Sequence, residues 1–313
     1  MENKFVKLFI AFIITILLAG FLLSQITINQ ILNIIFNINP TYLLLALFFY
    51  IISYIIRAFR IRYLIKKKVS IFELFNIVSI HTMVNGIIPF RVGELSFVYL
   101  ISKKGIKKTQ VVADLLIIRI FDFIIIILLL IVCLLFVGFE NIIYLISGIV
   151  ALLSIILLII ILINSHFFLN FIKKTFVIKF SFVKYVVEKI EEITNYFKKI
   201  KSIKTIYSIL IYSLFVWIAK FSMGYVLLLQ MGIDIGLLKT IMAFSISTFT
   251  TSLPIHGLLG FGTSEAGWVI AFMFFGISLE LAISSGFSFH IINIVYFTIL
   301  GIIALFNHRK KII

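Results

Sequence analysis

The chain has 313 residues, of which 63% are hydrophobic and only 13% charged, with a mean hydropathy of +1.24. Soluble domains carry roughly 45–50% apolar residues, so a soluble globular protein is excluded and an integral membrane protein is predicted. The formal charge of +16 is gathered at the ends of apolar runs, where it reports orientation in a membrane rather than binding of nucleic acid.

Taken in chain order, Lys4 and Lys7 precede the first apolar run, residues 5–23. No small-x-small cleavage site follows Leu23, so this run reads as a retained helix rather than a signal peptide. Residues 26–38 place Ile28, Ile31, Leu32 and Ile35 at helical spacing among polar residues, the pattern of a short helix lying in the interface. A span at 41–59 follows, overlapping a group of six basic residues at 57–68. Residues 71–102 are too apolar for a soluble loop, yet lysines flank both ends and the second arm, 95–102, is too short to cross. They read as a re-entrant hairpin. The next spans are 110–138 and 142–163. A basic stretch then contains an amphipathic helix at 181–204, with Val183, Val186, Ile190, Ile193 and Phe197 on its apolar face. After a span at 206–229, residues 237–277 form a second re-entrant hairpin, broken by Pro254, Gly257, Gly260 and Gly262 and flanked by Asp234 and Glu280. The last span, 281–306, ends at Arg309, Lys310 and Lys311.

The predicted fold is an all-α polytopic membrane protein with six transmembrane helices and two re-entrant helical hairpins. Basic groups inside and acidic turns outside place both termini in the cytoplasm and the protein in the cytoplasmic membrane. Residues 1–139 and 140–313 run through the same order of elements in opposite directions, an inverted-topology repeat of the kind that builds transporters.

Charged residues within membrane segments are expensive, which makes them candidates for function or for pairing. The first hairpin tip carries Asn85, Pro89, Arg91, Gly93 and Glu94; the helix after it carries Asp114, Arg119 and Asp122. The second hairpin carries Ser252, Pro254, Gly257, Gly260, Gly262, Thr263, Ser264 and Glu265. Pro89, Gly93, Pro254, Gly257, Gly260 and Gly262 suit tight turns and close helix contact. His81, His290 and Lys220 lie singly in apolar helices and read as satisfied polar groups or, for the lysine, a snorkelling amine. No grouping has metal-ligand spacing, and no cofactor motif stands out. The lone cysteine, Cys133, excludes an intrachain disulfide and a thiolate metal cluster.

Asn85, the Pro89-x-Arg91-x-Gly93-Glu94 run, Arg119-x-x-Asp122, the turn with Pro254, Gly257 and Gly260, and then Glu265 occur in an order that resembles the flippase-like integral membrane family. That family is typified by the transmembrane region of lysylphosphatidylglycerol synthase, the multiple peptide resistance factor, and the resemblance runs from about residue 41 onward. Phe90, Ile118 and His256 depart from its common pattern, and Ile118 removes a frequent acidic neighbour of Arg119. The resemblance implies translocation of a polar-headed lipid between leaflets without a nucleotide-driven motor. It does not imply lysyl transfer, and an enzyme is not expected.

Physical chemistry gives these residues roles in such a path. Arg91 and Arg119 present charged, forked donors suited to a phosphate. Glu94 and Asp122 either neutralise them or meet an amine or hydroxyls; the alternative reading makes Arg91–Glu94 and Arg119–Asp122 structural ion pairs that lock hairpin to helix. Asn85, Ser252, Thr263 and Ser264 offer hydrogen bonds, and Glu265 suits a helix N-terminus or carriage of a proton. Membrane lipids, such as a modified phospholipid or a polyprenyl-linked glycolipid, are the expected substrate class. Two other functions fit the sequence: an intramembrane lipid-modifying enzyme using Glu94 or Glu265 as acid or base, and a noncatalytic membrane partner of a separate glycosyltransferase or lipid synthase.

Overall fold

The computed structural model describes residues 2–66, 69–88, 93–138, 149, 203–252 and 258–309. All regular structure among them is helical. The described helices, numbered here in order, are α1 (Glu2–Leu23), α2 (Ile28–Asn37), α3 (Pro40–Ile65), α4 (Ile71–Ile87), α5 (Glu94–Ser102) and α6 (Lys108–Val137). They continue with α7 (Ile203–Gln230), α8 (Leu237–Ser252), a 3-10 turn (Leu258–Gly260), α9 (Thr263–Met273) and α10 (Leu279–Arg309).

Local chemistry sets the boundaries. Asn39 caps α3 by accepting from the Thr41 amide at 2.9 Å, with Pro40 in the first turn. Ser70 does the same for α4 through the Glu73 amide. Thr27 and Gln30 form a capping box on α2, and the chain turns by 81° between residues 15–23 and α2.

Helices occupy the predicted spans 5–23, 41–59, 110–138, 206–229 and 281–306. Residues 142–163 and nearly all of the amphipathic stretch at 181–204 lie outside the described residues. Four helices, α3, α6, α7 and most of α10, are long and apolar enough to cross a membrane on their own; the bent pair formed by the end of α1 and α2 would add a fifth. At 1.5 Å per residue, α4 and α8 reach only about 25 Å and α5 and α9 about 14–17 Å, short of a ~30 Å hydrocarbon core.

α3 lies against α7, α4 packs on α10, and α8 packs on α6. The short helices pair, α4 with α5 and α8 with α9, and α4 also touches the 3-10 turn at Leu258–Gly260. One apolar core forms around Leu74, Ile77, Phe97 and Ile101 of the first pair. Another forms around Ala243, Phe244, Trp268 and Phe272 of the second. Large apolar side chains such as Leu17, Phe21, Leu44, Phe48, Leu135 and Phe306 face outward, a surface suited to lipid rather than water.

Gly93 holds the α4/α5 pair closed. A Cβ there would lie 2.3 Å from the Asn85 Cα and 2.5 Å from its nitrogen, so backbone meets backbone with no flexible atom to yield. Gly93→Ala is expected to lower stability by about 1–3 kcal/mol through overpacking. Thermal unfolding of the detergent-solubilised protein reads this directly, and a melting temperature equal to wild type would show that the arms part without cost.

Candidate functional site

Between the two cores lies a cavity of about 180 Å³ whose wall includes Arg57, Arg60, Arg119, Asp122, Trp217 and Lys220. α3, α6 and α7 supply those residues. Asp122 sits about 21 Å along α6 at 1.5 Å per residue, close to that helix's midpoint. A second cavity of about 220 Å³ adjoins it, sharing Arg57, Trp217, Lys220 and Thr248.

One tightly built node stands at the first cavity. Arg60, only 2% exposed, donates to both Asp122 oxygens at 2.5 and 3.2 Å and to the Ser213 hydroxyl at 2.6 Å. Three helices therefore meet on one guanidinium. A forked ion pair of this sort meets the geometric condition for tolerating charge in a low-dielectric interior. Arg119 turns the other way and donates to Glu94 at 2.8 Å, joining α6 to α5. Arg57 donates to Thr82 of α4 at 3.1 Å and covers the Tyr54 ring, while Lys220 lies 4.4 Å over Trp217.

Electrostatically the wall is cationic. Among the described residues, Arg57, Arg60, Arg119 and Lys220 face one carboxylate on the wall itself, Asp122, with Glu94 reached through Arg119. Among the described residues, Trp217 Nε1, Arg60 Nε and Arg119 Nε have no protein acceptor although they are buried. Buried donors normally find partners; donors left over around a cationic cavity suit an anion with several acceptor oxygens.

A separate polar cluster forms at the N-terminus of α9. Glu265, wholly buried, accepts from the Gly262 amide at 2.7 Å and contacts His290 Nδ1 at 2.5 Å. Gly262 adopts φ +82°, and a Cβ there would strike Leu18 and Ala19 of α1, so both the turn and the close approach require glycine. Glu73 and Lys104 form an ion pair across the open end of the α4/α5 pair.

Several expectations need correction. Arg119 and Asp122 share a face of α6 but are not partners: Asp122 is bound by Arg60 and Arg119 by Glu94. Ile118 therefore does not leave Arg119 without an anion. Arg57 and Arg60 belong to the cavity rather than to a basic group marking the helix end, and Lys220 lines both cavities instead of snorkelling away. Thr263 spends its hydroxyl on the Gly260 carbonyl at 3.1 Å. Thr263, Ser264, Glu265 and Asn85 are not among the lining residues of either cavity; the Asn85 backbone instead packs against Gly93. His290 is satisfied by Glu265, and His81 meets the Gly93 carbonyl at 3.3 Å. Pro89, Arg91, Pro254 and Gly257, and the side chain of Ser252, lie outside the described residues. Arg57 and Arg60 carried only a weak signal, two arginines three apart at the end of an apolar run.

No solved structure matches this chain. The chain is similar over its whole length to a UPF0104 membrane protein of Methanocaldococcus jannaschii, 25% identical over 335 residues covering 98% of that protein. The family model described as the lysylphosphatidylglycerol synthase TM region matches residues 8–301. Helices long enough to span a bilayer, ionised groups held between them, and that match over nearly the full length agree: the chain is a multi-pass membrane protein belonging to the lysylphosphatidylglycerol synthase TM region family.

Proposed function

We propose that this protein moves a phosphate-bearing lipid between the leaflets of the cytoplasmic membrane. The observation that carries this reading is the cationic cavity beside the middle of α6, with Arg57, Arg60, Arg119 and Lys220 on its wall and buried donors left over. A hydrated head group needs such a polar station to cross hydrocarbon, while its tails stay in lipid. In this reading the chain has six spans, both termini in the cytoplasm, and two re-entrant hairpins, α4/α5 and α8/α9, that belong to inverted halves at 1–139 and 140–313. The reciprocal packing of α4 on α10 and α8 on α6, and the contact of α4 with the 3-10 turn, support it. Arg91, three residues before Glu94 in the sequence, is a further candidate phosphate contact. The chain acts as a carrier, not an enzyme.

Reconstitution tests this. In phosphatidylcholine vesicles containing a fluorescent phosphatidylglycerol, wild type is expected to equilibrate the label between leaflets, read with a membrane-impermeant quencher. Arg57→Ala and Lys220→Met are each expected to slow this at least about tenfold, the effect of losing one charge-assisted contact worth about 1.5–3 kcal/mol. Rates in wild-type vesicles no faster than in protein-free ones, or unchanged in both variants, would refute the proposal.

A further inference from the structure

The second cavity narrows the substrate class. It adjoins the phosphate station through Arg57, Trp217, Lys220 and Thr248 and is otherwise walled by Tyr50, Tyr54, Phe244, Phe289 and Asn293, among others. A lipid whose phosphate sits among the cations of the first cavity would place the rest of its head group here. Resting on the function proposed above, we infer that this remainder is neutral and hydroxylated, a sugar or cyclitol ring, and that cationic aminoacyl head groups are rejected.

Three observations argue for this. Aromatic cages hold cations by offering ring faces, but here the chain's own cations take two of those faces: Lys220 lies 4.4 Å over Trp217 and Arg57 5.3 Å over Tyr54. An incoming ammonium would meet those two like charges in a medium of low dielectric, where repulsion is screened poorly. Nor is an unengaged carboxylate at hand to receive it. Among the described residues at these cavities, Asp122 is held on both oxygens by Arg60, and Glu94 beyond the wall is engaged by Arg119.

What the second cavity does offer is neutral. Asn293 uses its amide nitrogen on the Phe289 carbonyl at 2.8 Å, which leaves its side-chain oxygen as an acceptor. The Tyr50 hydroxyl accepts from Tyr54 at 2.8 Å and keeps its own proton for another partner. The Thr82 hydroxyl is neutral but already occupied, accepting from Arg57 and donating to the Val78 carbonyl. Ring faces beside sparse neutral hydrogen-bonding groups match a ring that is apolar on one face and hydroxylated at its edge. Discrimination then arises as much from repelling the wrong head group as from contacting the right one.

Three lipids with identical acyl chains separate the outcomes: phosphatidylinositol, phosphatidylglycerol and lysyl-phosphatidylglycerol. Competition between them is measured on the full chain in phosphatidylcholine nanodiscs by native mass spectrometry, and leaflet exchange of each in vesicles. The expected order is phosphatidylinositol over phosphatidylglycerol over lysyl-phosphatidylglycerol, with at least about tenfold between first and last. Lys220→Met is expected to narrow the gap between the last two, because it removes one repelling charge. If wild type binds and moves lysyl-phosphatidylglycerol as well as or better than phosphatidylinositol, the head-group inference is overturned while translocation stands. If none of the three is bound or moved beyond the protein-free level, the translocation reading itself falls.

Discussion

Asp122→Ala is expected to destabilise the folded protein by about 3–5 kcal/mol, the usual result of stranding a buried charge. Its partner Arg60 is 2% exposed and would keep only the Ser213 hydroxyl. A long drop in melting temperature, followed by size-exclusion chromatography of the heated, detergent-solubilised protein, is the readout. Replacing both partners, Arg60→Met with Asp122→Leu, is expected to restore most of the loss, since well-packed apolar residues often match or exceed a buried ion pair in stability. That double variant separates two roles. Recovered stability with lost lipid exchange would place the pair in the transport path, whereas recovered stability with intact exchange would confine it to holding helices together. A single variant that melts like wild type would mean that Arg60 reaches another anion.

Glu265→Ala has the next largest expected effect, about 2–4 kcal/mol, because it leaves the buried Gly262 amide and the part-buried His290 ring nitrogen without their shared acceptor. Glu265 is fully buried and spans the 25 residues between α9 and the middle of α10 with a 2.5 Å contact, while its other oxygen caps α9. Glu265→Gln keeps an oxygen for the amide and is expected to lose less than half as much. The comparison is informative in either direction: equal losses would assign the stabilisation to the carboxylate's charge, and no loss in the alanine variant would remove the capping role. Because the cluster lies outside both cavities, phosphatidylglycerol exchange per folded molecule is the control that distinguishes a structural carboxylate from one that carries a proton during transport.

Much of the architecture was legible from periodicity and charge. Runs of twenty or more apolar residues can satisfy their backbone in lipid only as helices, so α3, α6, α7 and α10 follow from composition, and the shortness of α5 follows from Lys103 and Lys104. The short helix α2 was equally plain, since Ile31 is its buried residue among apolar positions at helical spacing. Side-chain pairing was not legible. Arg119 and Asp122 are neighbours on one helix surface, which made an ion pair between them the local choice. Partners 25 and 62 residues away won because α5 and α3 pack against that surface and offer better-aligned groups. The same limit hid Arg57 and Arg60: a basic residue near the end of an apolar run is usually an interfacial anchor, and only the placement of α7 across α3 encloses these two. Lys220 shows the converse, a single intramembrane charge that reads as a satisfied polar group or a snorkelling amine, because the first cavity it lines is assembled from five other helices, α3, α4, α5, α6 and α8.

The guanidinium shared by α3, α6 and α7 also constrains how the molecule can deform. Sliding any one of the three past the others would expose an ion to hydrocarbon, whereas tilting the trio as a unit leaves every bond of the node intact. A rigid tripod with a charged hub thus stands beside the paired short helices, which meet where α4 touches the 3-10 turn and where no such ion pair is described. Shape change is cheapest at that seam.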